Sequence, residues 1–552
     1  MSRRQGACLI KNRGVTPFGL SLATTLFVVI VLNGAFWSHI YRVVKPDDAY
    51  EWALLASFFV LQSAVYLFVL SIAAFPWLLK TLAAVMVLLA AVSSFFMLEY
   101  GAVIDANMLR NVLETNPAEA GDLMTGRAVA WIVVLGILPA VAIFLAPLTW
   151  RPARQLLPRN AFMSFAAAAT AGLTFLSFSG GYFSLMREDR EAVLKSTPAN
   201  VVIAGVRLHN RSKRVKNIVI APVGEDARLA RPAGARPLVT VVVVGETARA
   251  ANFSLLGYNR ETNPELGKTP GVVAFSHVTS CGTDTAYSVP CMFSGLGRAK
   301  YSFEVAQRRE NLLDVVKRSG LHVEWIENQG GCKGVCARVP TTSLTQSTNP
   351  RFCAEGECHD EILLDGLSER IAAMKDGGVI VLHMMGSHGP AYYKRVPHGF
   401  RPFEPVCETS QFARCTSEQI VNSYDNTIAY TDRVLAGLVR ILEKAAGSER
   451  DTMMFYVSDH GESLGEGGMY LHGMPYALAP EHQKHVPMVL WLSEGARATQ
   501  AISASCIEER ARTSAYSHDN LFHTVLGAQS VSTSVYSADL DILQPCRNHH
   551  PM

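Results

Sequence analysis

Three segments far apart in the chain place carboxylates and imidazoles directly after runs of β-branched residues. Residues 238–244 run into Gly245-Glu246-Thr247, residues 379–383 end at His383 and lead to His388, and residues 452–457 run into Ser458-Asp459-His460-Gly461-Glu462, with His472 twelve residues beyond His460. Carboxylate and imidazole together, with no paired thiolates at hand, are donor chemistry for zinc or a similar divalent ion. Asp459 and His460 are adjacent, so a turn must aim both at one ion, and Ser458 and Gly461 suit a turn. A lone His or Asp in such a turn is ordinarily a cap or a surface group. Three apolar runs that all end this way, spread over more than 200 residues, point to one site.

A fourth segment, Ser280-Cys281-Gly-Thr283-Asp284-Thr285-Ala286-Tyr287-Ser288-Val289-Pro290-Cys291, offers several hydroxyls. A hydroxyl is a weak nucleophile until a metal or a base activates it. If the segment opens a helix, its free backbone N–H groups also favour a phosphate. Spacing leaves Thr283, Thr285 and Ser288 all open as the reacting group. The plainer reading of the segment is a rigid loop clamped by a Cys281–Cys291 bridge.

These residues need a scaffold that brings distant strand ends together. Strand patterns cover residues 238–244, 272–279, 322–326, 379–383, 452–457 and 486–492, and helix patterns cover 311–318, 361–374, 418–444 and a short stretch near 520–526. Runs that are apolar throughout read as strands buried on both faces of a mostly parallel sheet. The second half of the chain is therefore expected to be an α/β domain, whose ligands bind beyond the carboxyl ends of its strands.

The first half is different. Residues 1–186 hold 12 Lys+Arg, 8 Asp+Glu and one cysteine of the eleven, so the mean hydropathy of +0.17 over 552 residues blends two unlike parts. Residues 14–41, 52–79, 81–98, 128–150 and 160–186 carry no Asp, Glu, Lys or Arg. About 20 apolar residues cross the hydrocarbon core, so the sequence predicts five transmembrane helices. Lys and Arg cluster at the N-terminus and in the loop at 151–159, which puts both in the cytoplasm and everything after residue 186 outside. The expected division is a transmembrane domain at 1–186, a linker with a basic interfacial helix at 187–237, and an α/β domain on the outer side at 238–552, which the resemblance given below implies to be a periplasmic catalytic domain.

Cysteine usage agrees with that topology. The ten cysteines after residue 186 fall as Cys281/Cys291, Cys332/Cys336, Cys353/Cys358, Cys407/Cys415 and Cys506/Cys546, while Cys8 lies on the reducing side. An even number at short spacing suits disulfides in an oxidising compartment, the pairing being inferred from proximity. Zinc held by four thiolates is the weaker alternative, since the spacings vary and no CxxC occurs.

At these residues the chain resembles the membrane-bound phosphoethanolamine transferases, the group that includes the lipid A enzymes behind polymyxin and colistin resistance. The matching stretches are VVVVGETARAANFSLLGYNRETNP, SCGTDTAYSVPCMFS, CKGVC, LHMMGSHGPAYYKR, VSDHGESLGEGGMYLHG and KHVPMVLW, collinear over most of the second half. The resemblance implies an α/β/α sandwich of the alkaline phosphatase/sulfatase type behind five membrane helices. It implies zinc, one ion or more, at Glu246, Thr285, Asp459 and His460, with Thr285 as nucleophile. His388 and His472 look like a second group that holds phosphate, assists proton transfer or binds a further zinc, and His383 joins them more weakly. Lys333 matches a substrate-phosphate contact, while Gly330 departs from the small polar residue of some relatives. Asn111, Thr115 and Glu119 share a helical face by their spacing and match residue types that could grip an ethanolamine head group.

The activity so implied moves phosphoethanolamine from phosphatidylethanolamine to a lipid A phosphate through a phosphothreonine. The protein would sit among membrane lipids of the bacterial inner membrane, as a monomer with no nucleic-acid partner. Rival acceptors are water, core heptose and glucan. A sulfatase would need Cys or Ser in a C/S-x-P-x-R context, which Cys281-Gly-Thr-Asp-Thr does not supply. A non-catalytic sensor would lack ligands, yet Glu246, Thr285, Asp459 and His460 are all present.

Overall fold

A computed structural model describes residues 14–114, 121–188, 194–215, 219–354 and 357–547. Contacts divide the chain into two compact units. One comprises Met1–Glu99, Val103–Asp105 and Gly126–Ala204, and the other Tyr100–Ala102, Ala106–Thr125 and Gly205–Met552.

In the first unit, Ala49–Ile72, Leu78–Glu99, Gly126–Leu145 and Arg154–Ser177 are long and apolar enough to cross a membrane. Pro17–Val31 and Gly34–Val44 make a fifth span if counted together, bent by 57° at their junction. The charge-free run 14–41 is thus a broken helix. Its junction residue Asn33 is buried, donates to the carbonyls of Val28 and Thr197, and accepts from Thr197 N and from Gln62. A break among apolar helices persists when its polar groups find partners inside the protein. The run 81–98 extends back through Lys80, whose ammonium caps the carbonyls of Phe144 and Ala146. The run 160–186 starts earlier and is split at Phe178, with a separate helix at Ser179–Glu188.

The second unit is built on a seven-stranded sheet. In chain order its strands are β1 Leu238–Gly245, β2 Val272–Phe275, β3 His322–Glu327, β4 Thr341–Ser343, β5 Gly378–His383, β6 Asp451–Ser458 and β7 Met488–Leu492. Their spatial order is β2-β7-β6-β1-β5-β3-β4. β6, β1, β5, β3 and β4 pair in parallel, whereas β7 runs antiparallel to both its neighbours. The expectation of a mostly parallel sheet therefore holds with one reversed strand. Its cause is local: the chain leaves β6 at its carboxyl end and enters β7 there, with no crossover helix to return it to the other edge.

Side chains alternate across the strands. Val242, Val244, Val379, Val381, Met453, Phe455 and Val457 join one core with the helices Leu312–Arg318, Ala504–Thr513 and Asp519–Ala528. A long helix, Ser417–Ala445, packs against β6 and completes the sandwich. It opens on a capping box of Thr416 and Gln419. Five disulfides, Cys281–Cys291, Cys332–Cys336, Cys353–Cys358, Cys407–Cys415 and Cys506–Cys546, tie loops of this unit.

At the start of β5, Gly378 has φ +142°, and a Cβ there would stand 2.1 Å from the His322 carbonyl of β3. Gly378→Ala is expected to cost about 3 kcal/mol or more through that backbone clash. Gly447→Ala, where a Cβ meets nothing within 4 Å, is the control. Thermal melts that leave Gly378→Ala as stable as the control would refute this account of the β3–β5 junction.

Candidate active site

The pairing of β1 with β6 sets Gly245 opposite Ser458. The next residues, Glu246 and Asp459, therefore leave the sheet side by side, and His460 turns back toward them. Glu246, Asp459 and His460 are completely buried, and one ligand atom from each lies within 4.8 Å of the others. Thr285 is the first residue of the helix Thr285–Phe293, whose N-cap Asp284 accepts from Tyr287 N. The Thr285 hydroxyl donates to the two Glu246 oxygens at 3.0 and 3.2 Å and lies 3.4 Å from His460 Nε2. The hydroxyl stands at the positive end of the helix dipole, an environment suited to a phosphoryl group.

Around these four residues the hydrogen bonds are directional. Asp459 Oδ1 accepts from Thr247 N and His460 N. Gln329 donates to Glu246 Oε2 at 3.0 Å, and the Thr247 hydroxyl donates to Glu246 Oε1 at 2.7 Å. Thr247 takes φ +60°, the left-handed turn that aims this amide at Asp459. His460 Nδ1 is 2.9 Å from the Gly461 carbonyl, so Nδ1 carries the proton and Nε2 is left to act as a ligand. Asp459 Oδ2 is buried without a hydrogen-bond partner among the described residues. A buried carboxylate oxygen left over in this way, beside a second carboxylate and an imidazole nitrogen, fits a divalent metal ion.

The charges show the same fit. Burial pushes Asp459 up to about 8, and the neighbouring Glu246 carboxylate adds to the rise. Burial would raise Glu246 too, but the hydrogen bond and charge of His460 hold it well below the usual carboxylate range. His460 is pulled down by burial, yet Asp459 and Glu246 lift it to about 10. Without a metal, two carboxylates share the one imidazolium and the cluster retains protons that a cation would displace.

A second group of side chains lines the same end of the sheet. The His472 ring lies 4.2 Å from that of His460 and 5.6 Å from that of His388. His472 Nδ1 is 2.8 Å from Glu462 Oε2, and Glu462 Oε1 accepts from Tyr392 at 2.5 Å. Burial pushes His472 well below the usual imidazole range, reinforced by His460 and His388, and it pushes Glu462 up to about 8. His383, the last residue of β5, is buried with neither ring nitrogen hydrogen-bonded among the described residues, its Nε2 4.0 Å from Glu246 and its ring edge-on to Trp325. Burial drops it to about 4, so it is neutral. Lys333, in the loop closed by Cys332–Cys336, donates to the Gly330 carbonyl and acts electrostatically on Glu327 and His383. Asn111 lies half-buried on the helix Ala106–Glu114, which packs against the Thr285 helix. Thr115 and Glu119 fall outside the described residues.

Sequence reading passed over Glu462, Gln329, Thr247 and Asp360. Gln329 stands two residues past β3, so the strand-end rule that found Glu246 would also have found it. Glu462 was visible in the motif but had no stated partner. Asp360 holds the amides of Met385 and Gly386 from 25 and 26 residues away, and no local pattern announces that.

Two family models match the chain, phosphoethanolamine transferase EptA/EptB over residues 63–212 and sulfatase over residues 239–531. Phosphoethanolamine transferase EptA of Salmonella typhimurium is 41% identical over 95% of this chain and 96% of its own. Phosphatidylethanolamine transferase Mcr-1 of Escherichia coli is 36% identical over 87% of this chain and 90% of its own. The solved structure of the integral membrane lipooligosaccharide phosphoethanolamine transferase A from Neisseria meningitidis superposes with a TM-score of 0.93 at 36% identity, over 97% of this chain and 99% of that one.

The raised Asp459 and His460 predict proton release on metal binding. Zn²⁺ added to metal-free protein at pH 7 should displace up to about two protons, and its affinity should rise with pH, most steeply below about 8 where Asp459 ionises and then less steeply until His460 loses its proton near 10. Calorimetry in buffers of different ionisation enthalpy measures this. Binding with no proton release would contradict the charge assignment.

Proposed function

The chain belongs to the phosphoethanolamine transferase family of EptA and Mcr-1, and from that premise we propose that it transfers phosphoethanolamine from phosphatidylethanolamine to a phosphate of lipid A through a phosphothreonine at Thr285. The observation that carries the reading is the Thr285 hydroxyl, buried at a helix N-terminus with Glu246 at 3.0 Å and His460 at 3.4 Å. Glu246, Asp459, His460 and Thr285 would hold zinc, which when bound lowers the pKa of the hydroxyl and offsets charge on the phosphoryl oxygens.

In the first step Thr285 Oγ1 gives up its proton along its hydrogen bond to Glu246 and attacks the donor phosphorus, the bond to the glycerol oxygen breaks, and that oxygen leaves with a proton as diacylglycerol. His472 or His388 supplies the proton; His472 is neutral at rest and would pass on the one held by Glu462, which lies 2.8 Å from its Nδ1 and is itself bonded by Tyr392. The N-terminal amides of the Thr285 helix and Lys333 hold the phosphoryl oxygens. In the second step a lipid A phosphate oxygen attacks the phosphothreonine, the P–Oγ bond breaks and the hydroxyl is restored.

The relative from Neisseria meningitidis acts, by its name, on lipooligosaccharide, which supports a surface glycolipid as acceptor. Five disulfides in the catalytic unit and the apolar helices of the other unit support an inner-membrane protein with its site in the periplasm. An added amine lowers the net negative charge of the outer surface, which weakens the binding of polymyxin and other cationic peptides.

Full-length protein incubated with phosphatidylethanolamine and no acceptor should gain one phosphoethanolamine mass on Thr285. Thr285→Ala should show no such gain and should transfer to lipid A slower by on the order of a thousandfold or more. Thr285→Ala with undiminished transfer would sink the proposal. A labelled wild type that hands the group to another glycan and not to lipid A would move the acceptor.

A further inference from the structure

One buried imidazole takes no part in the transfer chemistry above. His518 directly precedes the helix Asp519–Ala528 and is completely buried. Its Nδ1 accepts from the backbone amide of Cys281 at 3.0 Å, and its Nε2 lies 2.8 Å from the carbonyl of Ser458. An amide can only donate and a carbonyl can only accept, so Nδ1 is bare and Nε2 carries the proton. That is the neutral ring, and burial acts the same way, pushing His518 down to about 4. Its partners lie 237 and 60 residues away in the chain. Cys281 precedes Thr285 on one loop, and Ser458 directly precedes Asp459 and His460. One ring thus spans from the loop of the reacting hydroxyl to the strand end of the candidate ligands.

The two sides of this link differ in stiffness. Ser458 ends β6, which is paired with β1 on one side and β7 on the other, and its hydroxyl accepts from Ala248 N. Asp459 N donates to the Gly245 carbonyl, so the ligand turn is fastened to the sheet by its own backbone. Cys281 instead lies in the turn between the two-residue strand Val278–Thr279 and the Thr285 helix. Contacts from the His518 turn converge on it. Tyr516–Ser517 pairs in parallel with Val278–Thr279, and His518 N donates to the Thr279 carbonyl. Asp519 accepts from Arg298 N, and the Arg298 guanidinium donates to the Cys281 carbonyl. Cys281 is thereby held at its amide directly and at its carbonyl through Arg298. The Cys281–Cys291 bridge carries the constraint into the Thr285 helix itself.

Resting on the reading of Thr285 as nucleophile, we propose that His518 is a positioning residue that sets the Thr285 hydroxyl against Glu246 and His460 by holding the Cys281 loop to the end of β6. The loop is the side that moves when the link is lost, because the sheet holds Asp459 and His460 without it. The Thr285 hydroxyl lies 3.0 Å from Glu246 and 3.4 Å from His460. A displacement of about 1 Å at such a group costs on the order of a hundredfold in rate. The link needs an acceptor and a donor on one rigid, uncharged side chain. An imidazolium or a lysine could not accept from the Cys281 amide.

Three substitutions separate the two bonds. His518→Asn can keep an oxygen where Nδ1 stands, His518→Gln can keep an N–H where Nε2 stands, and His518→Phe keeps the ring and neither bond. Full-length zinc-loaded protein in mixed micelles is followed for phosphothreonine formation from phosphatidylethanolamine without acceptor. His518→Phe should lower kcat roughly 30- to 100-fold, with KM within about twofold of wild type and zinc stoichiometry unchanged. His518→Asn should recover about tenfold of that loss through the Cys281 bond, whereas His518→Gln should stay as slow as His518→Phe. Hydrogen exchange reads the same link without substrate. Residues 280–285 should exchange about tenfold faster in His518→Phe and His518→Gln than in wild type, and residues 452–458 should not. If His518→Phe does not fold, the contrast between Asn and Gln decides alone. A Gln variant as fast as the Asn variant, a loss that falls on KM or zinc content, or unchanged exchange at 280–285 would overturn the assignment. A wild type that forms no phosphothreonine would remove the transferase reading instead, and the exchange rates would still judge the link.

Discussion

Two carboxylates with nowhere to put their charge organise the catalytic unit. Glu246 and Asp459 follow the ends of neighbouring parallel strands, are fully buried, and share His460, whose Nε2 lies 3.4 Å from each. Burying two anions together is costly unless a cation joins them. The register of β1 against β6 creates the problem, and the same register gathers Glu246, Asp459 and His460 into a cluster that could hold the cation to resolve it. Shifting that pairing by one residue would turn every side chain of one strand to the other face and part the two carboxylates.

The loops beyond the strands are held to this pair by backbone contacts. Ser387 N donates to the Glu246 carbonyl, and Asp360 accepts from the amides of Met385 and Gly386. Gly386 approaches so closely that a Cβ there would stand 2.6 Å from the Glu246 carbonyl, at φ +53°. The loop that carries His388 is therefore fastened to the strand end that carries Glu246. On the far side, Lys394 and Arg395 of the same loop pair with Asp122 at 2.5 and 3.5 Å. Asp122 belongs to the segment between two membrane spans, which clusters with the catalytic unit. A rigid site for phosphoryl transfer gains from such fixing, because the chemistry depends on position and preset charge.

In the helical unit the same logic operates with the opposite solvent. Asn33 is bonded to both Gln62 and Thr197 inside an apolar bundle, so the side chain at the break after Val31 finds its partners within the protein. Composition marks the run as apolar and does not mark the bend, because a single Asn in 28 residues hardly alters the average. Lys80 is a comparable case. A charge seemed to end a span, yet it caps the carbonyls of another helix and the span continues through it.

Much of this protein was legible in its residues alone. Apolar runs that terminate in Glu246, His383 and Asp459-His460 announced both the sheet and the end at which the site would lie, because buried strands and strand-end ligands leave a local pattern. Short cysteine spacing matched four of the disulfides for a similar reason, since neighbours in sequence were neighbours in space, and the fifth, Cys506–Cys546 at a separation of 40, was the pair left over. Tertiary structure alone decided the rest. It set the Thr285 hydroxyl, one of three in its segment, against Glu246. It reversed β7, because strand direction depends on where the chain re-enters the sheet. It recruited Gln329, Glu462 and Asp360, whose partners lie 83, 10 and 25 residues away. Chemistry that resides in residue type is written along the chain, whereas chemistry that resides in distance exists only after folding.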